Sequence, residues 1–168
     1  MTTLAIDIRR AGIDDATGVA EVHHAAWRGA YGGIIPHGAL NRMLARRGTQ
    51  WWRNAIGGTA NVLVVEMGGD IVGYATLGRN RAARLPQQGE IYELYLKPEY
   101  QGIGLGTRLF SAARAHLAAH GLKGLVIWAL EENDGALGFY AGLGGCDVAE
   151  GVEVFDARAL RKVAFVWH

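Results

Sequence analysis

Leu94-Tyr95-Leu96-Lys97-Pro98-Glu99-Tyr100-Gln101-Gly102-Ile103-Gly104-Leu105-Gly106-Thr107 decides how the rest of this chain reads. An apolar strand breaks at Pro98, and three glycines fall within five positions where a helix begins. The amides of a first helical turn have no partner inside the helix and lie at the positive end of its dipole. With bare glycines in front of them they form a cradle for phosphate or pyrophosphate. Thr107-Arg108 follow the last glycine, where a Walker A loop needs Lys and then Ser or Thr. Gly102, Gly104 and Gly106 alternate, and Arg108 and Leu109 stand where a dinucleotide fingerprint has its third glycine. The alternative to a ligand site is a tight strand–helix turn with no ligand at all.

A second element lies downstream: Asn133, Ala136, Phe139, Tyr140, Leu143 and Gly144. Together, Gln101-x-x-Gly104-x-Gly106 and this Asn-x-x-Ala-x-x-Phe-Tyr-x-x-Leu-Gly segment resemble the two acetyl-CoA motifs of the GNAT superfamily of N-acetyltransferases. The resemblance covers residues 61–146 well, the N-terminal quarter loosely, and the last twenty residues plausibly. Gly135, Gly138 and Gly142 depart from it, sitting where better helix formers are usual, each at a cost of up to about 1 kcal/mol relative to Ala.

Working outward, the chain of 168 residues fits one domain with a single core, taken as 1–168. A formal net charge of +1 gives no electrostatic case for nucleic acid. The single Cys146 excludes an intrachain disulfide and suits a reducing cytoplasm. No signal peptide or bilayer-spanning run is expected. His116 and His120 have i,i+4 spacing without a third ligand, so no metal is expected. Arg79, Arg81 and Arg84 cluster as a solvated loop or as contacts for cofactor phosphates or an acidic substrate.

Alternation predicts a first strand over 4–9, followed by a helix capped by Asp14 or Asp15. Helices are expected at 36–46 and around Trp51, Trp52 and Ile56, the latter capped by Thr49. Strands 61–67 and 71–78 form a hairpin through Gly68-Gly69-Asp70. Then follow a strand 90–97, the helix after the glycines to about His120, a strand 124–130 and a helix 133–142. Strands 148–155 and 162–167 close the chain through a loop at 156–160. The order is α+β, with hairpins at either end and one central β-α-β crossover. The resemblance implies the same: a mixed, mostly antiparallel twisted sheet flanked by helices, with acetyl-CoA at that crossover.

The resemblance also implies site residues. Amides around Gln101, Gly102, Ile103, Gly104, Leu105, Gly106 and Thr107 would face the diphosphate of acetyl-CoA. Main-chain groups of Leu94, Tyr95 and Leu96 would bind its pantetheine arm in a slot where two strands splay at a bulge. Asn133, an N-cap in its own right, would touch that arm as well. Tyr140 would protonate the departing thiolate. An acceptor amine with a pKa near 10.4 is almost wholly protonated at pH 7, and a carboxylate can take up its proton directly or through a water. Glu90 and Glu93 are the candidates, and the resemblance, which implies a catalytic Glu on this strand, favours Glu90 by its distance from Gln101; regular pleating would point the two to opposite faces unless a bulge intervenes. Trp27, Tyr31 and Ile35 suit an aromatic, largely apolar acceptor wall, with Trp128 as wall or core and His23 or His24 as an alternative base. The expected activity is N-acetyl transfer to a primary amine of a small molecule or a peptide, by direct attack in a ternary complex. A catalytically silent coenzyme A sensor and a nucleotide-binding module are the other classes. Phe165 and Trp167 suit either a homodimer interface or the core.

Overall fold

The computed structural model describes residues 4–168. β1 (Ile6–Arg10) is followed by α1 (Ala16–Tyr31), α2 (His37–Arg46) and α3 (Thr49–Gly57). Next come β2 (Asn61–Met67), β3 (Asp70–Arg79), β4 (Gly89–Leu96), α4 (Leu105–Ala119) and β5 (Leu125–Leu130). α5 (Asp134–Gly142), β6 (Cys146–Phe155) and β7 (Arg158–Trp167) complete the order. The seven strands form one sheet, ordered β1-β2-β3-β4-β5-β7-β6. Every neighbouring pair is antiparallel except β4 and β5, which the α4 crossover makes parallel.

Each face of the sheet is covered. The continuous apolar run of β2 divides by parity: Leu63 and Val65 pack towards Leu109 and Phe110 of α4, while Val62 and Val64 join Val19, Val22 and Trp52 of α1 and α3. Leu105, Leu109, Phe110, Ala113 and Leu117 carry the buried stripe of α4. Burial of each larger side chain there contributes on the order of 2 kcal/mol. A third cluster joins Tyr31, Ile35, Leu40 and Leu44 to Leu130 and Leu160, holding α2 and its approach over the C-terminal end of β5. Phe165 and Trp167 belong to the core, only 5% and 4% exposed, and offer no surface to a second copy.

Three local expectations change. Asp15 does not cap α1 with its side chain; its carboxylate instead accepts from the Gly12 amide at 2.7 Å and holds Arg9 at 2.7 and 3.0 Å. Thr49 is the first residue of α3 rather than its cap, which is Gly48. The loop expected at 156–160 contracts to a two-residue turn, because Asp156 adopts the left-handed region at φ 54° and lets β6 and β7 pair up to Phe155 and Arg158. Aspartate is among the few residues that tolerate that conformation.

Candidate active site

The site is made by a fork in the middle of the sheet. β4 and β5 pair only at Gly89–Leu125 and Glu90–Val126, and then separate. Just beyond the fork, β4 carries a bulge: Thr76 faces Glu93 and Leu77 faces Ile91, leaving Tyr92 as the extra residue. A bulge bends its strand and resets the alternation of side chains. Glu90 and Glu93, three positions apart, therefore line the same cavity instead of opposite faces. Two hollows open from the fork, a groove of about 680 Å³ and a cavity of about 470 Å³, and Tyr95 lines both.

The groove gathers Leu94, Tyr95, Leu96, Gln101, Gly102, Gly104, Gly106, Thr107, Asn133 and Tyr140. Gly104 stands immediately before α4 at φ 88°, a left-handed conformation that bars a side chain without strain, and a Cβ there would meet open space. The start of α4 has no side-chain cap, so its first amides are left to the groove. Gly106 is bare for a different reason: a Cβ would lie 3.2 Å from Cζ of Phe139, so the glycine lets α5 approach α4. The side chains of Ile103 and Leu105 take no part in lining the groove; Ile103 is 59% exposed, and the Leu105 side chain is buried in the core. Asn133 Oδ1 accepts the Ala136 amide at 3.3 Å, capping α5 despite its glycines. Tyr140, on that helix, is 6% exposed and packed against Phe139, Phe165 and Trp167. Burial pushes its phenol well above the usual tyrosine pKa, so it keeps its proton.

The smaller cavity is aromatic. Trp27, Tyr31 and Ile35 enter from α1 and the turn after it, Trp51 and Trp52 from α3, and Tyr92, Tyr95 and Trp128 from the sheet. The hydroxyls of Tyr31 and Tyr95 are hydrogen-bonded to one another beside the wall that separates the two hollows. The two carboxylates differ in setting. Glu90 accepts the Arg81 amide at 3.0 Å and the Arg81 Nη2 at 2.9 Å, and its side chain is 3% exposed. Glu93 is paired with the guanidinium of Arg47 and accepts the Thr76 hydroxyl at 3.1 Å, with its side chain 11% exposed. Arg81 thus lies in the cavity rather than against the glycine turn, and Arg84 Nη2 donates to the Glu150 carbonyl.

His23 is not available as a base. It is 1% exposed, hydrogen-bonded through Nδ1 to Tyr74 at 3.0 Å and enclosed by Trp27 and Trp52. Burial, with Arg47 nearby, lowers its pKa to about 3 and keeps the ring neutral. His24 is exposed, accepting from Arg28 Nε at 3.1 Å. Sequence reading missed Arg47, Trp51, Thr76, Tyr92 and Lys162 as cavity residues. The Trp51-Trp52 pair beside Arg47 was the one signal present, and nothing local tied it to a strand forty residues away.

Chemically, the arrangement offers bare amides and a protonated phenol on one side of Tyr95, and carboxylates within an aromatic enclosure on the other. The acetyltransferase (GNAT) family model matches residues 21–144. An uncharacterized N-acetyltransferase of Bacillus subtilis, YuaI, is 29% identical over 164 residues, covering 96% of this chain and 92% of that protein. The mycothiol acetyltransferase of Paenarthrobacter aurescens is 29% identical over 126 residues, covering 71% of this chain and 38% of that enzyme. The fold matches the PaiA N-acetyltransferase of Thermoplasma acidophilum, solved with coenzyme A, at a TM-score of 0.74 and 20% identity over 94% of this chain and 98% of that one. It also matches yncA of Salmonella typhimurium, solved with its cofactor acetyl-CoA, at a TM-score of 0.70 and 22% identity over 97% of this chain and 93% of that one. With the forked sheet, the glycine turn and the Asn133–Tyr140 helix in their expected places, the chain belongs to the acetyltransferase (GNAT) family.

Proposed function

We propose that this protein transfers the acetyl group of acetyl-CoA to the primary amine of a small molecule, by direct attack within a ternary complex. The observation that carries the reading is the meeting of two hollows at Tyr95, one holding the glycine turn and Tyr140, the other Glu93. The groove fits the cofactor: Gly102 and Gly104 leave space where a Cβ would stand, and the main chain of β4 beyond Glu90 has no strand beside it on the β5 side. Acetyl-CoA supplies the activated thioester, and two structural relatives solved with coenzyme A or acetyl-CoA support that assignment.

The chain's own groups divide the proton work. The amides at the start of α4 hold the diphosphate, and Leu94, Tyr95 and Leu96 orient the amide-bearing arm. Glu93 takes a proton from the acceptor ammonium, directly or through a water, and passes it to solvent. The neutral amine then attacks, the N–C bond forms, the C–S bond breaks, and the nitrogen sheds its second proton as the amide forms, which balances the proton delivered to sulfur. Tyr140 returns a proton to the departing sulfur, a role its burial suits by keeping the phenol protonated. Glu90, with its oxygens held by Arg81, anchors the loop over the cavity and is the lesser candidate for base. A cavity of about 470 Å³ has the size of a small-molecule site.

A second reading, a silent coenzyme A sensor, is favoured by one observation: both carboxylates already carry guanidinium partners. Release of free thiol from acetyl-CoA across a panel of primary amines separates the two. Transfer predicts release that depends on both substrates, with intersecting initial-rate lines. Thermal stabilisation by coenzyme A without thiol release from any amine would leave the sensor standing; no stabilisation at all would remove both.

A further inference from the structure

Three carboxylates line the aromatic cavity among the described residues, and each is covered in the same way. Glu93 holds Arg47, whose guanidinium carbon lies 4.6 Å from the Trp51 ring centre, 5.6 Å from Trp27 and 5.8 Å from Trp52. Glu90 holds Arg81, which lies 4.0 Å from the Tyr92 ring centre. Glu153 holds Lys162 at 2.6 Å, and that ammonium lies 4.6 Å from the Trp128 ring centre. The cavity has thus built the same receptor three times, a carboxylate beside an aromatic face. That is the chemistry that binds an organic cation.

The three occupants are not equally fixed. Arg81 is tied to Glu90 by its own amide as well as its guanidinium, on a loop braced by Asn80. Lys162 is a residue of β7, set in the sheet between β5 and β6. Arg47 sits in the short link between α2 and α3, and its guanidinium donates one hydrogen bond, to Glu93. No other receptor of the three has three rings.

We infer that the Trp27–Trp51–Trp52–Glu93 enclosure is a cation-binding subsite of the acceptor cavity, which Arg47 occupies in the free protein and vacates to an alkylammonium or guanidinium group of the acceptor. This rests on the reading of the cavity as the acceptor site. The acceptor's amine arrives protonated, since its pKa lies far above 7. It meets the carboxylate in competition with an internal cation of the same charge. Arg47 therefore sets selectivity: an acceptor whose cation stacks on the tryptophans displaces it, and an acceptor with no cationic group does not. When the incoming cation is the reacting ammonium itself, displacement also brings an oxygen of Glu93 against the proton that must be removed, so arrival of the right substrate engages the base.

The subsite is tested without turnover, by titrating methylguanidinium and tetramethylammonium into the protein in the absence of acetyl-CoA. Binding is read by tryptophan fluorescence and by calorimetry. Removing the internal competitor in Arg47→Met is expected to tighten both probes by about tenfold or more, and Trp51→Ala in that background is expected to cancel the gain. A folded Arg47→Met variant, with unchanged circular dichroism, that binds the probes no more tightly than the parent overturns the inference. Should Arg47→Met not fold, Arg47→Lys decides. Its more strongly hydrated ammonium makes a weaker competitor, so tightening of about threefold supports the subsite, and unchanged affinity overturns it. These readouts involve no acetyl transfer, so failure here leaves the proposed activity intact, and failure of thiol release leaves the cation site intact.

Discussion

The groove and the cavity on either side of Tyr95 are built from different materials. Main-chain atoms dominate the groove: a left-handed glycine, uncapped helical amides and a strand edge without a neighbour. Side chains make the cavity, brought from α1, the α2–α3 link, α3, β3, β4, β5 and the closing hairpin. Backbone recognises what is common to every reaction of a family, because peptide groups are the same in every member. Side chains recognise what differs from one member to the next. The chemistry at the seam has to be carried by the few residues that face both ways or stand beside it, and that division can be broken experimentally.

The largest effect is expected from the cavity's carboxylates, which the structure separates by setting. Glu93→Gln should lower kcat by about 10²- to 10³-fold with little change in the KM for acetyl-CoA, measured by thiol release. Glu90→Gln should chiefly cost stability, about 1–2 kcal/mol in denaturant unfolding, because a buried carboxylate loses its bonds to Arg81. A kinetic loss in Glu90→Gln beside a mere stability loss in Glu93→Gln would exchange their roles. Next comes Tyr140, the acid proposed for the groove. Tyr140→Phe should lower kcat by about 10²-fold, and activity of the parent should show no alkaline decline from this phenol below pH 10, since burial raises its pKa. A retained rate in Tyr140→Phe would hand the proton to water.

His23 beneath the aromatic wall yields a smaller, pH-dependent effect. Its folded pKa, about 3, lies below the unfolded value of 6.5, so the unfolded chain binds the extra proton. The stabilisation is complete above pH 6.5 and is lost as pH falls towards 3. Unfolding free energy should drop by about 2 kcal/mol between pH 7 and pH 5, and His23→Gln should flatten that slope. A slope unchanged in the variant would place the acid sensitivity elsewhere. Smallest is the groove's turn: Gly104→Val forces a branched side chain into a left-handed conformation and should weaken acetyl-CoA binding by about tenfold, leaving the KM for the amine unaltered. A shift in both constants would mean that the two hollows are not independent.

The same contrast explains what could be read before the structure. The groove was legible because its parts are contiguous: Leu94 to Thr107 run as strand, turn and helix, and Asn133 and Tyr140 share one short helix. There Ile103 and Leu105 enter only through their amides, since one side chain faces solvent and the other the core. The cavity was legible only in its nearest wall, Trp27, Tyr31 and Ile35. Arg47 meets Glu93 across 46 positions and Lys162 meets Trp128 across 34, and no periodicity encodes such pairings. The bulge at Tyr92 was open to suspicion but not to proof, since an extra residue in a strand leaves no mark until its partner strand is known. The turn at Asp156 was read too long because it lacks the glycine that marks most two-residue hairpins.

The fork between β4 and β5 makes the interior of this sheet a gauge of its own contents. Past Glu90, amide hydrogens of β4 directed away from β3 point into a cleft rather than at a neighbouring carbonyl, so deuterium should replace them sooner than those locked into the β3 ladder. Any guest bearing amides of its own that lies along the cleft would slow that replacement at alternate residues and nowhere else. A strand-resolved exchange experiment would then count the rungs such a guest restores, with no need to watch a reaction.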